Sequence, residues 1–296
     1  MPSAKTAQGA GLALTSGASL LWGTAFVATG VGLQYANPYN LLFLRFLAAT
    51  IAIIPIAIVL RQRVDLRREL GRGSIWALGG VFAMGFVFQY LGQGFTNASD
   101  AALLSNLAPI FVPFVALVLL KENVSKVQTS GVLTGLLGLV LVSSPTLGMR
   151  GNQLLGDFML FMSSLCYALF IVLSKRLAAV SVGSAFAIVI SITAFLAPVA
   201  LLLGGLNPTQ MEMGAEGWFS IAYLGVACTV LPTSLYLKGL KSTRASQSAT
   251  LLLLELLTGI VLAALMLRES LSLLATLGVA LIFAAIFLSS KQPKTR

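Results

Sequence analysis

Leu120 to Val132 reads LKENVSKVQTSGV, and Leu267 to Val279 reads LRESLSLLATLGV. Placed 147 residues apart, the two stretches align Lys121-Glu122 with Arg268-Glu269, Thr129 with Thr276 and Gly131-Val132 with Gly278-Val279, and the same shift pairs Ala98-Ser99 with Ala245-Ser246. This internal repeat decides the architecture. Crossing a bilayer core takes ~20 residues of helix, and working outward from the repeat the chain divides into ten apolar runs of that kind. They are Gly9 to Gln34, Tyr39 to Leu60, Gly73 to Phe95, Ala101 to Leu120, Val127 to Ser143, Leu154 to Ser174, Val182 to Leu203, Trp218 to Leu237, Ser246 to Leu267 and Leu271 to Leu288. Residues 1–148 and 149–296 hold five runs each. Five is odd, so the second half starts from the opposite face of the membrane, and two similar folds are expected in opposite senses. An all-α membrane protein with two inverted five-helix repeats is a transporter signature, with a site near the midplane where the halves meet. A channel is the alternative that a repeat alone leaves open.

Composition agrees with membrane residence. Of 296 residues, 57% are hydrophobic and 9% charged, against roughly 25% charged in soluble chains. Nineteen Lys+Arg and nine Asp+Glu are too few to coat a soluble exterior, so the apolar surface faces lipid. Alternating strands of ~10 residues, the mark of a membrane β-barrel, are not seen, and the backbone must satisfy its hydrogen bonds within helices. The gaps Arg61 to Arg72 and Gly204 to Gly217 are too short for a soluble domain. The start, Met1 to Leu33, mimics a signal peptide but is too long and lacks a small-residue cleavage site, so it reads as a retained first helix.

The chain has no His, and its two Cys, Cys166 and Cys228, lie in apolar runs without a CxxC partner. That removes His-ligated zinc and His-based triads, and no metal or cofactor is expected. The absence of a GxxxxGK[ST] sequence removes direct ATP drive. Catalysis would need converging acids, and Glu255 is the one acid deep in an apolar run, so no enzyme is expected. The net charge of +10 is spread over short gaps rather than gathered on a solvated face, which argues against nucleic acid. With the N-terminus inside, 16 of the 19 basic residues fall in inner gaps, Arg150 and Arg268 fall outside, and Arg45 is within the second run. That split predicts cytoplasmic termini, and the basic inner face reads anionic lipid.

Polar stripes mark candidate site residues. Gln89 and Gln93 are four apart in the third run, with Tyr90 alongside. Thr229, Thr233 and Tyr236 follow i, i+4, i+7 in the eighth, and Ser163 and Tyr167 are four apart in the sixth. These faces should turn from lipid. For Gln89, Tyr90, Gln93, Tyr167 and Tyr223, cavity lining and interhelical hydrogen bonding, worth ~0.6 to 2 kcal/mol per contact, are both open. Trp22 is either a core-filling aromatic or a site residue, while Trp76 and Trp218 at run ends suit interfacial anchors. Pro109 and Pro232 should kink helices beside the cavity and free carbonyls. Gly131 and Gly135 in the fifth run, with Ala280 and Ala284 in the tenth, form small-xxx-small faces for contact within the monomer or across a homodimer.

Glu255 lies nine residues after Ser246, ~14 Å into its run and close to the midplane. A carboxylate there needs a wet cavity, a partner or a proton. It is expected to bind a substrate amino group, carry a proton or bond neutrally to a neighbouring helix. Its repeat counterpart is Ala108. Arg45 is the less favoured partner, because it sits six residues from Tyr39 and can snorkel outward.

The first run reads Leu21-Trp22-Gly23-Thr24-Ala25-Phe26, the second has Arg45-Phe46 followed by Ala48-Ala49, the fourth runs from Ala108-Pro109 to Leu120-Lys121-Glu122, and the ninth ends Leu267-Arg268-Glu269. In their order, spacing and duplication these resemble the EamA-like branch of the drug/metabolite transporter superfamily over essentially the whole chain. Two positions depart from the pattern: Gly30 stands where a basic residue often follows the Trp-Gly motif, and Glu255-Leu256 stands where many members have Glu-Pro. The resemblance implies a ten-helix inverted repeat, a cavity lined by helices 1, 3, 4, 6, 8 and 9 with helices 5 and 10 behind, and export of small polar metabolites, often amino acids, from a bacterial inner membrane. The expected function is therefore amino-acid export by alternating access through a site containing Trp22, Gln89, Tyr90, Gln93, Tyr167, Tyr223 and Glu255. Efflux of lipophilic cations is the alternative, with a metabolite channel behind it.

Overall fold

The structure, a computed structural model, describes residues 4–59, 65–121, 126–143, 151–177, 182–204, 213–240, 251–266 and 272–289. Every regular element among them is a helix. In chain order they are α1 (Ala4–Gly32), α2 (Pro38–Val59), α3 (Leu66–Leu70), α4 (Gly73–Gln93), α5 (Ala98–Ser105), α6 (Ala108–Leu120), α7 (Lys126–Ser143), α8 (Gly151–Arg176), α9 (Val182–Leu203), α10 (Ala215–Gly225), α11 (Leu231–Leu240), α12 (Leu253–Met266) and α13 (Leu273–Ser289). Among the described residues seven helical stretches are long and apolar enough to cross a membrane, and three shorter apolar helices lie at Thr129–Gly138, Leu254–Ala263 and Thr276–Ala285. Large apolar side chains such as Val59, Leu202 and Leu273 stand exposed, as a lipid-facing surface requires.

Three expected runs differ in detail. The fourth, read as one helix from Ala101 to Leu120, is interrupted at Asn106 and Leu107. Pro109 has no N–H to offer the Ser105 carbonyl four residues back, and the Asn106 amide caps the preceding turn by donating to the Ala102 carbonyl at 2.9 Å. The eighth run is continuous but passes through a π-helical turn at Val226–Val230 between α10 and α11. Pro232 again removes the donor to the residue four back, Cys228, and the Thr229 hydroxyl donates to the Leu224 carbonyl at 2.9 Å across the widened turn. In the ninth run a turn at Leu252 precedes α12. Glu255 thus lies in the first turn of α12, its N–H bonded to the Leu252 carbonyl at 3.0 Å, rather than nine residues into an unbroken helix. Ser246, where that run was expected to begin, lies outside the described residues.

The helices pack in pairs that join distant parts of the sequence. α7 runs along α13, α4 lies on both α8 and α9, α1 touches α10, α11 and α12, α2 packs on α9 and α10, and α6 packs on α8. The α7–α13 seam is made by small residues, which on α7 include Gly135 of the expected pair and on α13 lie on a different face from the one expected. Gly138 stands so close to the Gly278 carbonyl that an added Cβ would lie 2.8 Å from it, and Gly135 faces Ala285. Gly278, Ile282 and Ala285 are buried, while Ala280 and Ala284 are exposed. In a helix that is apolar all round, sequence period cannot choose between two small faces. The contact here is within one chain.

The short gap at 61–72 carries α3, capped by Asp65, which accepts from the Arg68 N–H at 3.1 Å. Glu69 pairs with Arg72 at 3.0 Å and accepts from the Ser184 hydroxyl at 3.0 Å, fixing this connection to the start of α9. Of the basic residues in the charge split, Arg61, Arg63, Arg150, Lys241, Arg244, Arg268, Lys291, Lys294 and Arg296 lie outside the described residues, as do Glu122, Ala245, Ser246 and Glu269 of the repeat. Trp76 and Trp218 are exposed at helix starts.

Candidate functional site

The polar stripes of different helices converge in the interior, around a residue that was expected to turn outward. Arg45 is 3% exposed. Its Nε donates to the Thr229 hydroxyl at 3.0 Å, one Nη to the Tyr90 hydroxyl at 3.0 Å and the other to the Cys228 carbonyl at 3.2 Å. Snorkelling is therefore overturned. The reason is local: Pro232 leaves the Cys228 carbonyl without its helical donor, and the guanidinium supplies one. Gly225 allows the approach, since a Cβ there would lie 2.9 Å from the Arg45 carbonyl oxygen, so α10 lies directly on α2. The guanidinium carbon is 5.1 Å from the Phe86 ring centre, 5.4 Å from Phe46 and 5.9 Å from Tyr90, a cationic site lined by aromatic faces.

Tyr90 is fully buried and also accepts from the Thr29 hydroxyl at 3.3 Å. Gln89, one residue earlier, accepts from the Tyr167 hydroxyl. Gly85 gives the Tyr167 ring its place, because a Cβ at that position would lie 2.6 Å from the ring. Tyr167 leads into an aromatic wall through Phe82, at 5.3 Å between ring centres, and Phe86, at 5.5 Å. Phe82 stacks on Phe170 at 4.0 Å.

A second group of residues surrounds α1. Gly23 brings that helix against the backbone of α12, since a Cβ on it would lie 2.5 Å from the Glu255 carbonyl oxygen. Its neighbours are aimed accordingly. Thr24 shares a hydrogen bond with the Tyr223 hydroxyl at 2.9 Å and lies 3.4 Å from the Cys228 thiol. The Trp22 ring is 5.3 Å from Tyr236. The Glu255 side chain is partly buried. Asn106 is the hydrogen-bonding group beside its carboxyl, and Arg45, Tyr167 and Tyr236 are its electrostatic neighbours.

Gln93 is set apart from both groups. Its Nε2 donates to the Phe26 carbonyl at 2.6 Å, while Oε1 is buried and has no partner among the described residues. It forms part of the wall of a cavity of about 1020 Å³ between the α1–α2 and α4–α5 connections, with Gly30, Asn37 and Thr96. Across that end of the molecule the Tyr35 hydroxyl donates to Glu216, a carboxylate that holds the phenol above its ordinary acidity range. Asn37 and Asn40 donate to the Gly204 carbonyl at 2.9 and 3.0 Å.

Of the seven expected site residues, the structure thus brings Gln89, Tyr90 and Tyr167 next to Arg45, places Trp22, Tyr223 and Glu255 around α1, and leaves Gln93 at the cavity wall. Arg45, Asn106 and Thr229 were not among them. A threonine hydroxyl in a helix can bond back to its own backbone; that of Thr229 does so and also accepts from Arg45. Asn106 could have been found by asking which polar residue precedes Ala108-Pro109. Among the described residues no group of three His, Cys, Asp or Glu could hold a metal ion.

A helical protein with apolar outer faces and a polar centre fed by side chains from many helices belongs to the class of membrane transporters. The EamA-like transporter family matches it twice, at residues 9–144 and 154–291, and the chain belongs to that family. An "uncharacterized transporter" of Archaeoglobus fulgidus is 28% identical, over 95% of this chain and 96% of that one. A "probable amino-acid metabolite efflux pump" of Salmonella typhimurium is 25% identical, over 91% of each chain. A solved crystal structure shares the fold with a TM-score of 0.68 at 20% identity, covering 94% of this chain and 96% of its own.

Proposed function

We propose that the protein is a secondary transporter that exports small polar metabolites, amino acids foremost, by alternating access. In this reading ten membrane helices form two inverted five-helix halves, residues 1–148 and 149–296, in a bacterial inner membrane with both termini cytoplasmic. The observation that carries it is the central polar network, in which Arg45, Gln89 and Tyr90 bond to Thr229, Cys228 and Tyr167. A site shared between halves is what rocking one half against the other needs.

The helix pairings support the inverted arrangement. Exchange of corresponding helices turns α4–α8 into α11–α1, α1–α12 into α8–α6 and α4–α9 into α10–α2, and it returns α2–α9 and α7–α13 to themselves. Interruptions at Asn106 and at Leu252 fall in corresponding fourth helices, and broken helices in matching positions are a pointer to a binding site. The Salmonella relative's name supports the substrate class.

The test is counterflow in liposomes. Purified protein reconstituted with unlabelled amino acid inside should concentrate the same labelled amino acid transiently and saturably. Trp22 and Tyr236 beside Glu255 would also suit a lipophilic cation. Saturable exchange of such cations without exchange of any amino acid reverses the assignment, and linear, non-saturating flux makes the protein a channel.

A further inference from the structure

Glu69 and Glu216 stand 147 residues apart and are counterparts in the repeat, and each accepts a hydrogen bond from the opposite half of the chain. Glu69, in α3, accepts from the Ser184 hydroxyl in the first turn of α9 at 3.0 Å. Glu216, in the first turn of α10, accepts from the Tyr35 hydroxyl in the connection before α2. Since α2 and α9 are also counterparts, one kind of contact is made twice: a carboxylate at the approach to the third membrane helix of one half holds a hydroxyl where the second helix of the other half begins. In the topology proposed above, the Glu69 contact lies at the inner end and the Glu216 contact at the outer end.

The two contacts differ in register. The counterpart of Ser184 is Asn37, and that of Tyr35 is Val182. Asn37 gives its amide to the Gly204 carbonyl at 2.9 Å, and Tyr35, two residues earlier, is the side chain that meets Glu216. Gly217 makes room for the phenol, since a Cβ there would lie 3.1 Å from the Tyr35 Cβ. The connection so tied to α10 forms one wall of the cavity of about 1020 Å³, and the α4–α5 connection forms another.

In a transporter built of inverted halves, the two access states are related by exchanging the conformations of the halves. Exchange here brings Glu216 opposite residue 37 and Glu69 opposite residue 182. Asn37 can turn its amide from Gly204 to Glu216, but Val182 has no side-chain donor for Glu69. We propose that Tyr35–Glu216 and Ser184–Glu69 are paired latches at opposite ends of the molecule, both made while the outer cavity is open and both released when it closes. The inference rests on the inverted-repeat reading above and adds the contacts that set the balance between its two states. A contact made in one state alone shifts the equilibrium by its own free energy.

The test reads the cavity directly. Nitroxide labels on Gln34→Cys and Phe95→Cys, which line the two walls, are placed in a background lacking Cys166 and Cys228. In liposomes, pulsed electron double resonance then reports a longer distance for the open cavity and a shorter one for the closed cavity. Tyr35→Phe keeps the ring and removes the hydroxyl, and should shift the ratio toward the shorter distance by about fivefold, the scale of one hydrogen bond to a charged group at a partly exposed place. Ser184→Ala, at the other end, should shift it in the same direction, and the double variant by about 25-fold, because distant sites add. A local packing role for Ser184 would not move a distance measured at the opposite end. Failure of either substitution to move the ratio, or a shift toward the longer distance, overturns the latches while leaving counterflow as it was. The measurement needs no substrate, so absence of counterflow for every amino acid in the same liposomes overturns the substrate reading and leaves the latches standing.

Discussion

Glu255→Gln is expected to leave the protein folded and to slow amino-acid counterflow by about 30-fold or more. Removing one member of a buried, hydrogen-bonded charge contact costs ~2 to 5 kcal/mol, and about 2 kcal/mol is already a factor of ~30. Folding should not suffer. The amide keeps the shape of the side chain and can still bond to Asn106, while the cost of an ionised carboxylate among apolar helices disappears. The variant should therefore elute as a monodisperse peak and unfold no earlier than the parent. A folded variant with full flux and the parental pH profile would return Glu255 to a purely structural role between α1 and α12.

Gly23→Ala is the smallest substitution expected to disrupt the molecule. Its added Cβ would lie 2.5 Å from both the Glu255 carbonyl oxygen and the Thr258 Cβ. The first of these is backbone and cannot turn aside, so α1 and α12 must separate. Overpacking a close contact costs ~1 to 3 kcal/mol, and more where backbone has to move. The shift would also pull Thr24 from Tyr223 and Trp22 from Tyr236. Loss of the monodisperse fraction, or a clear drop in the unfolding temperature, is the expected result. A variant as stable and active as the parent would show that the two helices are not held in backbone contact.

These two positions also show what can be read from the chain without coordinates. Apolar run length located the helices closely where nothing interrupts them, and Val182–Leu203 has the bounds that its run gives. The motif Trp22-Gly23 was visible as a pattern, but its physical reason was not, because the residue that Gly23 accommodates is 232 positions away. Interruptions were harder still. Pro109 and Pro232 promised kinks, whereas the chain answers the first with a break capped by Asn106 and the second with a π-turn whose freed carbonyl takes a guanidinium. Arg45 illustrates the limit. Its distance from the helix end permits snorkelling, and only the partners supplied by Tyr90 and by the π-turn make the interior the better place. Polar stripes were legible as stripes, but which helix each would meet depends on packing that a local period does not encode.

The central claim is that two halves of one fold are inserted in opposite senses about a shared site. Gln62 and Thr209 stand 147 residues apart, as repeat counterparts in the connections after the second and seventh runs. In a background lacking Cys166 and Cys228, single cysteines at these two positions are compared by reaction with an impermeant thiol reagent added to intact cells. Inverted halves predict that Thr209→Cys reacts from outside and that Gln62→Cys reacts only after the membrane is opened. Reaction of both positions from the same side would mean that the halves are inserted in parallel, and would contradict the account.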